Sequence, residues 1–287
     1  MQTGKLLEEM DGAAFERLCG EVLRKMVPEL ANLLPSGINS DGRTIKSFSD
    51  GFCFAEGNQY ATVHVTTNNS NLRKKWLYDG NSKTTPKGDL IKGIKEAGRM
   101  VTVHPNYLFS IYLVSNRRVD DTLHHEVHQK VQDHFIRVRI IEQRDLISFL
   151  DYDPEGQYLR KHFLGIEAER ISASLLHDIV ENNLRRYRED IFLDASHLAI
   201  TSNRQKVESQ LLESSNRVNL LTAESGFGKS TLCYALLQHY REEGNVVLRI
   251  KPSVVEKAVS LEDAIQQQLR MDYTPLDVQE RDVHPLF

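Results

Sequence analysis

Long apolar runs are missing from this 287-residue chain. No stretch approaches the roughly 20 residues that span a bilayer, and no charged-then-apolar leader opens the chain. The expectation is a soluble cytoplasmic protein. Cysteine is scarce: Cys19, Cys53 and Cys233 are too few and too scattered for a disulfide framework or a zinc ribbon. Their apolar neighbours predict buried free thiols. No sign of charge dominates, with 36 Lys and Arg against 40 Asp and Glu, so bulk charge argues neither for nor against a nucleic-acid partner. No G-x-S-x-G elbow is present, which leaves serine-nucleophile chemistry without support. His124, His125, His128 and His134 lie close together, but their spacing is not H-E-x-x-H and no cysteine is near. A surface histidine group is expected there, not a zinc site. There is no internal repeat.

What is present is organised around Arg217 to Leu237. Val218, Leu220 and Leu221 read as a short buried strand. Gly226 and Gly228 permit positive φ angles and a close approach of backbone N–H groups to a phosphate. Lys229 is spaced to reach the β- and γ-phosphates, and Ser230 offers a hydroxyl to Mg²⁺. From Ser230 the pattern turns helical, with Leu232, Ala235, Leu236 and His239 on one face. A helix N-terminus would therefore point at the anion. The stretch departs from G-x-x-x-x-G-K-[ST] in one place, where Ala223 stands for the first glycine.

Ahead of it, residues 7 to 30 repeat apolar side chains at helical spacing, and Asp11 caps or kinks the start. Strands are expected around Thr44 to Phe48, Phe52 to Ala55, and, most strongly, Tyr60 to Thr67. Helices are expected at Asp89 to Met100, Thr122 to Phe135 and Arg144 to Leu150. Strands are expected at Tyr107 to Ser115 and Ile136 to Ile141, with Arg137 and Arg139 facing solvent. This order predicts an α/β domain with a mixed sheet. Residues 1–155 form this domain, 156–215 a helical connector, and 216–287 the first part of a nucleotide-binding α/β domain, with Asn245 to Ile250 as its second strand and Leu261 to Met271 as a helix. Such a unit cannot bury both faces of its sheet alone, so more chain is expected beyond Phe287. Arg204 precedes the loop strand and reads as a helix-surface arginine. Arg73, Lys74, Lys75 and Trp76, with Lys83, Lys87, Lys92 and Lys95 nearby, read either as a backbone-binding stripe with a stacking aromatic or as a solvated helix face.

The stretch Ala223, Glu224, Ser225, Gly226, Phe227, Gly228, Lys229, Ser230, Thr231 resembles the P-loop of NACHT-type signal-transduction (STAND) ATPases. The resemblance covers residues from about 200 onward. It implies ATP with Mg²⁺ bound at Glu224 to Thr231, Ser230 on the metal, and self-association on nucleotide binding. No strand closing in paired carboxylates, which that family uses to hold Mg²⁺, follows in this sequence.

Residues 10 to 150 resemble a restriction-endonuclease-like domain (PD-(D/E)XK, Mrr-type). The resemblance rests on Phe15 and Glu16 in the first helix, the turn Gly37 to Arg43 with Asp41, and the strand Val63 to Thr66. It implies carboxylates that hold Mg²⁺ and a lysine that stabilises developing charge. Onto this chain it carries Glu16, Asp41, His64 and Lys74 as catalytic candidates, with Asp41 as metal ligand. His64, Val65 and Thr66 occupy the E/Q-x-K position, so the strand lysine is gone. Thr44 or Lys46 take the place of Asp41 in a shifted pairing, Glu16 and Asp50 are further ligand candidates, and Lys74 or Lys75 would reach back from the following helix. Nuclease-like modules fused to STAND ATPases resemble bacterial anti-phage proteins. The expected function is a DNA-directed nuclease regulated by ATP. The alternative is a catalytically inactive nuclease fold that binds nucleic acid or a protein partner.

Overall fold

The computed structural model describes residues 2–36, 49–55, 57–67, 71–80, 87–132, 134–191, 202–216, 218–224 and 228–275. Two compact units divide the chain at Ala168 and Glu169.

Asp11 decides how the first unit begins. Its carboxylate accepts from the Ala14 N–H at 2.9 Å, so one apolar stretch becomes two helices, α1 (Gln2–Glu9) and α2 (Gly12–Met26). The single helix expected over residues 7 to 30 is thus broken by a cap, and Pro28 opens a separate helical turn. Two short strands follow, β1 (Leu34–Pro35) and β2 (Gly51–Ala55), and then the longer β3 (Gln59–Thr66). The strand expected at Thr44 to Phe48 lies outside the described residues. The rest of the unit is α3 (Leu72–Leu77), α4 (Asp89–Val103), β4 (Leu108–Ser115), α5 (Asp121–Val131), β5 (Ile136–Ile141), α6 (Gln143–Tyr152) and α7 (Pro154–Leu164).

The sheet is five-stranded in the order β1-β2-β3-β4-β5. β2 pairs antiparallel with β1 and with β3, whereas β3, β4 and β5 run parallel. This is a mixed α/β sheet with helices on both faces. Period-two alternation sorts the strand residues between them. Cys53, Ala61, Val63, Tyr112 and Val114 pack with Phe15, Leu18, Val22, Leu146 and Leu159 of α2, α6 and α7. Ile111, Leu113 and Val138 pack with Trp76, Leu90, Leu123 and Val127 of α3, α4 and α5. Arg137 and Arg139 are exposed on β5, as alternation requires.

Asp153 does not close the domain. Its carboxylate accepts from the N–H groups of Glu155 and Gly156 and starts α7, whose Leu159 joins the core beside α2. Arg160 then reaches the Asp151 carboxylate at 2.8 Å and the Glu167 carbonyl at 2.9 Å. α7 ends at Gly165, whose φ of +67° suits a residue without Cβ. The expected connector is therefore no body of its own. α7 belongs to the first unit, while α8 (Ala173–Ile191) and α9 (Ser202–Leu212) belong to the second.

The second unit adds α10 (Lys229–Glu242), α11 (Pro252–Val255) and α12 (Leu261–Asp272). α8 is buried along Leu176, Ile179, Val180 and Leu184 and packs on α10 and α12. Neither expected strand forms here. Val218 and Leu220 are exposed, and residues 245–250 join no ladder. Side chains supply what neighbouring strands would. The Asn183 amide accepts from the Arg249 N–H at 3.1 Å and donates to its carbonyl at 3.2 Å, and Gln268 accepts from the Lys251 N–H at 3.0 Å. Cys19 and Cys53 are buried, but Cys233 is exposed, contrary to the expectation for all three. Among the described residues, no helix is long and apolar enough to cross a membrane.

Gly156 tests the α6–α7 junction. A Cβ there would sit on the Phe149 carbonyl, whereas one at Gly20 within α2 meets nothing within 4 Å. Gly156→Ala should lose about 1–3 kcal/mol by overpacking, and Gly20→Ala should gain about 0.5–1 kcal/mol of helix propensity. Urea denaturation of the two variants checks both signs.

Candidate carboxylate site and phosphate loop

The end of the sheet where β2 begins holds a cavity of about 260 Å³. Glu16, Arg17 and Gly20 of α2 line it on one side, and Asp50, Val63 and Val65 on the other. Asp50 stands one residue before β2. Its N–H donates to the Val63 carbonyl at 2.9 Å, and its carboxylate accepts from the Val65 N–H at 2.6 Å. Both contacts to β3 fix the side chain at the strand end. Burial holds the Glu16 carboxyl above its ordinary range, and the Asp50 charge adds to this. Burial likewise raises Asp50, partly offset by the Val65 N–H. The nearby Cys19 thiol is pushed well up, first by burial and then by these two carboxylates, so it is an inert core group.

The far face of β3 carries a second polar group of residues. His64 is 2% exposed and Asp89 4%. The Asp89 carboxylate accepts from Lys92 Nζ at 2.8 Å and faces Lys75 Nζ at 3.4 Å. Lys75, Lys92 and Asp89 act electrostatically on both Asp50 and His64. Burial lowers the His64 pKa to about 4, so its ring is neutral at pH 7. Among the described residues, the buried atoms His64 Nε2, Thr62 Oγ1 and Trp76 Nε1 have no hydrogen-bond partner.

The expected catalytic set is therefore divided by geometry. Glu16 lies in the cavity, and the carboxylate joined to it is Asp50, while Asp41 lies outside the described residues. His64 belongs to the opposite face, because neighbouring strand residues alternate and Val63 and Val65 take the cavity side. Lys74 points away: its ammonium lies over the Tyr78 ring at 5.7 Å from the centroid. The lysine of α3 that turns inward is Lys75, since one residue rotates a helical side chain by about 100°. From the sequence, Asp89 reads only as the start of a helix and Lys92 only as one lysine of a basic stripe. Their spacing of three on one helix face was the available signal.

In the second unit, Gly228 adopts φ +77° and caps the start of α10, a conformation that favours glycine. Lys229 Nζ folds back on the loop and donates to the carbonyls of Ala223 at 2.6 Å and Glu224 at 2.7 Å. Ser230 and Thr231 occupy the first turn of α10. Ser225, Gly226 and Phe227 lie outside the described residues. Tyr187 of α8 donates its hydroxyl to the Ser230 carbonyl at 2.9 Å, and the Arg249 guanidinium covers the Tyr187 ring at 3.9 Å. Asp190 pairs with Arg249 at 2.8 Å. Tyr187 carries no sequence signal beyond the apolar face of α8 that it shares with Leu176, Ile179 and Leu184.

Among the described residues, no three His, Cys, Asp or Glu side chains converge to hold a metal by themselves. The Glu16 and Asp50 pair still fits Mg²⁺, which commonly takes one or two carboxylates and completes its shell with water and substrate phosphate.

Burial of neutral His64 has a pH consequence. As pH falls from 6.5, the unfolded chain takes up a proton that the folded protein refuses until about pH 4. Stability is retained above that window and lost through it, by roughly 3 kcal/mol. Glu16 and Asp50, both raised, work in the opposite direction. The difference between wild type and His64→Gln isolates the histidine: urea denaturation at pH 7 and pH 4 should give the variant a smaller loss.

Compared with protein-family models and with curated proteins, this chain matches none.

Proposed function

We propose that this protein acts on DNA through a nuclease-like first unit and binds a nucleoside triphosphate, ATP by resemblance, on the loop ahead of α10. The observation that carries the first half is the Glu16 and Asp50 pair, two carboxylates in one cavity that burial raises above their ordinary range, the Asp50 charge adding to the rise of Glu16. Such an arrangement opposes folding at neutral pH, and a divalent cation between them would relieve it. Glu16 and Asp50 would hold Mg²⁺, which supplies polarisation of a phosphoryl oxygen and an acidified water when bound. The chain's own contribution is positional. The Val65 N–H keeps Asp50 at the strand end, and Lys75 and Lys92, tethered by Asp89, place positive charge behind it.

The second half is supported by Lys229, whose ammonium already bridges two loop carbonyls. A phosphate would take those donors over as charge-assisted bonds, beside a helix N-terminus that favours an anion. Ser230 would then offer its hydroxyl to the accompanying Mg²⁺. Control of the first unit by nucleotide, as in the anti-phage proteins that the sequence resembles, belongs to the same proposal.

A second reading is favoured by one specific observation. On the cavity side β3 presents Val63 and Val65, which can neither bind metal nor transfer a proton. A nuclease fold that binds DNA or a protein partner without cutting it follows from that.

Cleavage of plasmid DNA by the full chain with Mg²⁺ or Mn²⁺ decides between the two. Cleavage should fall by about a hundredfold or more in Glu16→Gln and Asp50→Asn. Absence of cleavage by the wild type with either ion would sink the catalytic reading. Independently, Lys229→Ala should weaken ATP binding by roughly 10- to 100-fold, the value of a charge-assisted hydrogen bond. Unchanged affinity in equilibrium dialysis would overturn the nucleotide assignment.

A further inference from the structure

An open groove of about 710 Å³ lies between α3 and α5, on a different surface from the carboxylate cavity. Arg73, Lys74 and Tyr78 form one wall, and Glu126, Gln129 and Lys130 form the other. Three cations thus face one carboxylate. Glu126, only 24% exposed, pairs with Arg73 Nε at 2.8 Å without hydrogen-bond geometry and keeps the guanidinium at the mouth. The pairing lies at Nε, and the two terminal nitrogens carry the donor fork that suits a phosphate. Lys74 lies over Tyr78, and among the described residues Lys130 meets only the Asp79 carboxylate, at 3.5 Å, which it shares with Lys87. Exposed ion pairs of this kind are worth about 0–1 kcal/mol, so an incoming phosphate displaces Asp79 at small cost.

We propose that this groove is a binding surface for the phosphate backbone of DNA, separate from the residues that would cut it. The inference rests on the DNA reading of the first unit and deepens it by naming where the strand lies. The cations are spread over two helices along an open channel, which suits a chain of phosphates better than a single compact anion. Backbone neutralisation at separated points is how nucleic acid is held without sequence reading. Gln129 adds a neutral donor, and the Tyr78 ring offers an apolar floor. Helix α3 links the groove to the charges around Asp50. Lys75 follows Lys74 on the same short helix, and its ammonium turns to Asp89, which acts on Asp50. One residue of α3 therefore separates the backbone-holding side chains from those behind the cavity.

The test is fluorescence anisotropy of the full chain with a short labelled DNA duplex across a range of NaCl. Arg73→Ala, Lys74→Ala and Lys130→Ala combined should weaken binding by tenfold or more at low salt. The slope of log affinity against log salt should fall by about two to three, since each lost phosphate contact contributes about 0.9. All three side chains are solvent-facing, so circular dichroism melting should match wild type. An unchanged salt slope in the triple variant would overturn the proposal, as would absence of DNA binding by the wild type. Equal displacement of the DNA by polyglutamate would replace nucleic acid with an acidic peptide and overturn it too. The two readings fail separately. Binding that depends on the groove without any cleavage removes only the catalytic reading, and Glu16- and Asp50-dependent cleavage with an unaltered triple variant removes only the groove.

Discussion

The first unit depends on β3. This strand is buried on both faces, antiparallel to β2 on one side and parallel to β4 on the other. Because its side chains alternate, it sorts the unit into two layers: Val63 towards α2 and α7, and His64 towards α4. A slip of one residue would exchange every one of these positions, which the apolar core on each side forbids. The same strand sets the polar geometry. The Val65 N–H and Val63 carbonyl anchor Asp50 where β2 starts, so a backbone register decides where a carboxylate stands. Glu16 meets it from α2, whose orientation follows from packing Phe15, Leu18 and Val22 on the sheet.

The polar residues behind β3 answer a different constraint. Asp89 is almost wholly buried, and a lone buried carboxylate would be costly. Lys92 and Lys75 neutralise it from two helices. His64 beside them stays neutral because burial outweighs the attraction of Asp89. The net effect is positive charge held near Asp50 without a strand lysine, and the opposing cations lower Asp50 less than burial raises it.

In the second unit, helices α8, α10 and α12 do what a sheet was expected to do. A strand needs a neighbour for its ladder, and among the described residues Val218 to Leu221 have none, so their side chains stay largely open to water. Residues 245–250 form no ladder either, and Asn183 and Gln268 satisfy the Arg249 and Lys251 backbone groups instead. Tyr187 ties α8 to the first turn of α10, so the loop that carries Lys229 is braced from behind.

Local pattern alone determined much of this. The β-branched run Tyr60 to Thr67, the alternation of Ile136 to Ile141, the helix cap at Asp11, and the turn from Gly228 into Lys229 could be read residue by residue, because each depends on neighbours within four positions. The mixed α/β class followed from their order. What only the tertiary structure decided is which side chains meet. Asp50 joins Glu16 and takes no strand partner from His64; Lys75 turns inward where Lys74 turns out; and α7 joins the first core. Those outcomes depend on strand register and helix rotation, where a shift of a single residue reverses the direction of a side chain, and that shift is set by packing between elements far apart in the chain.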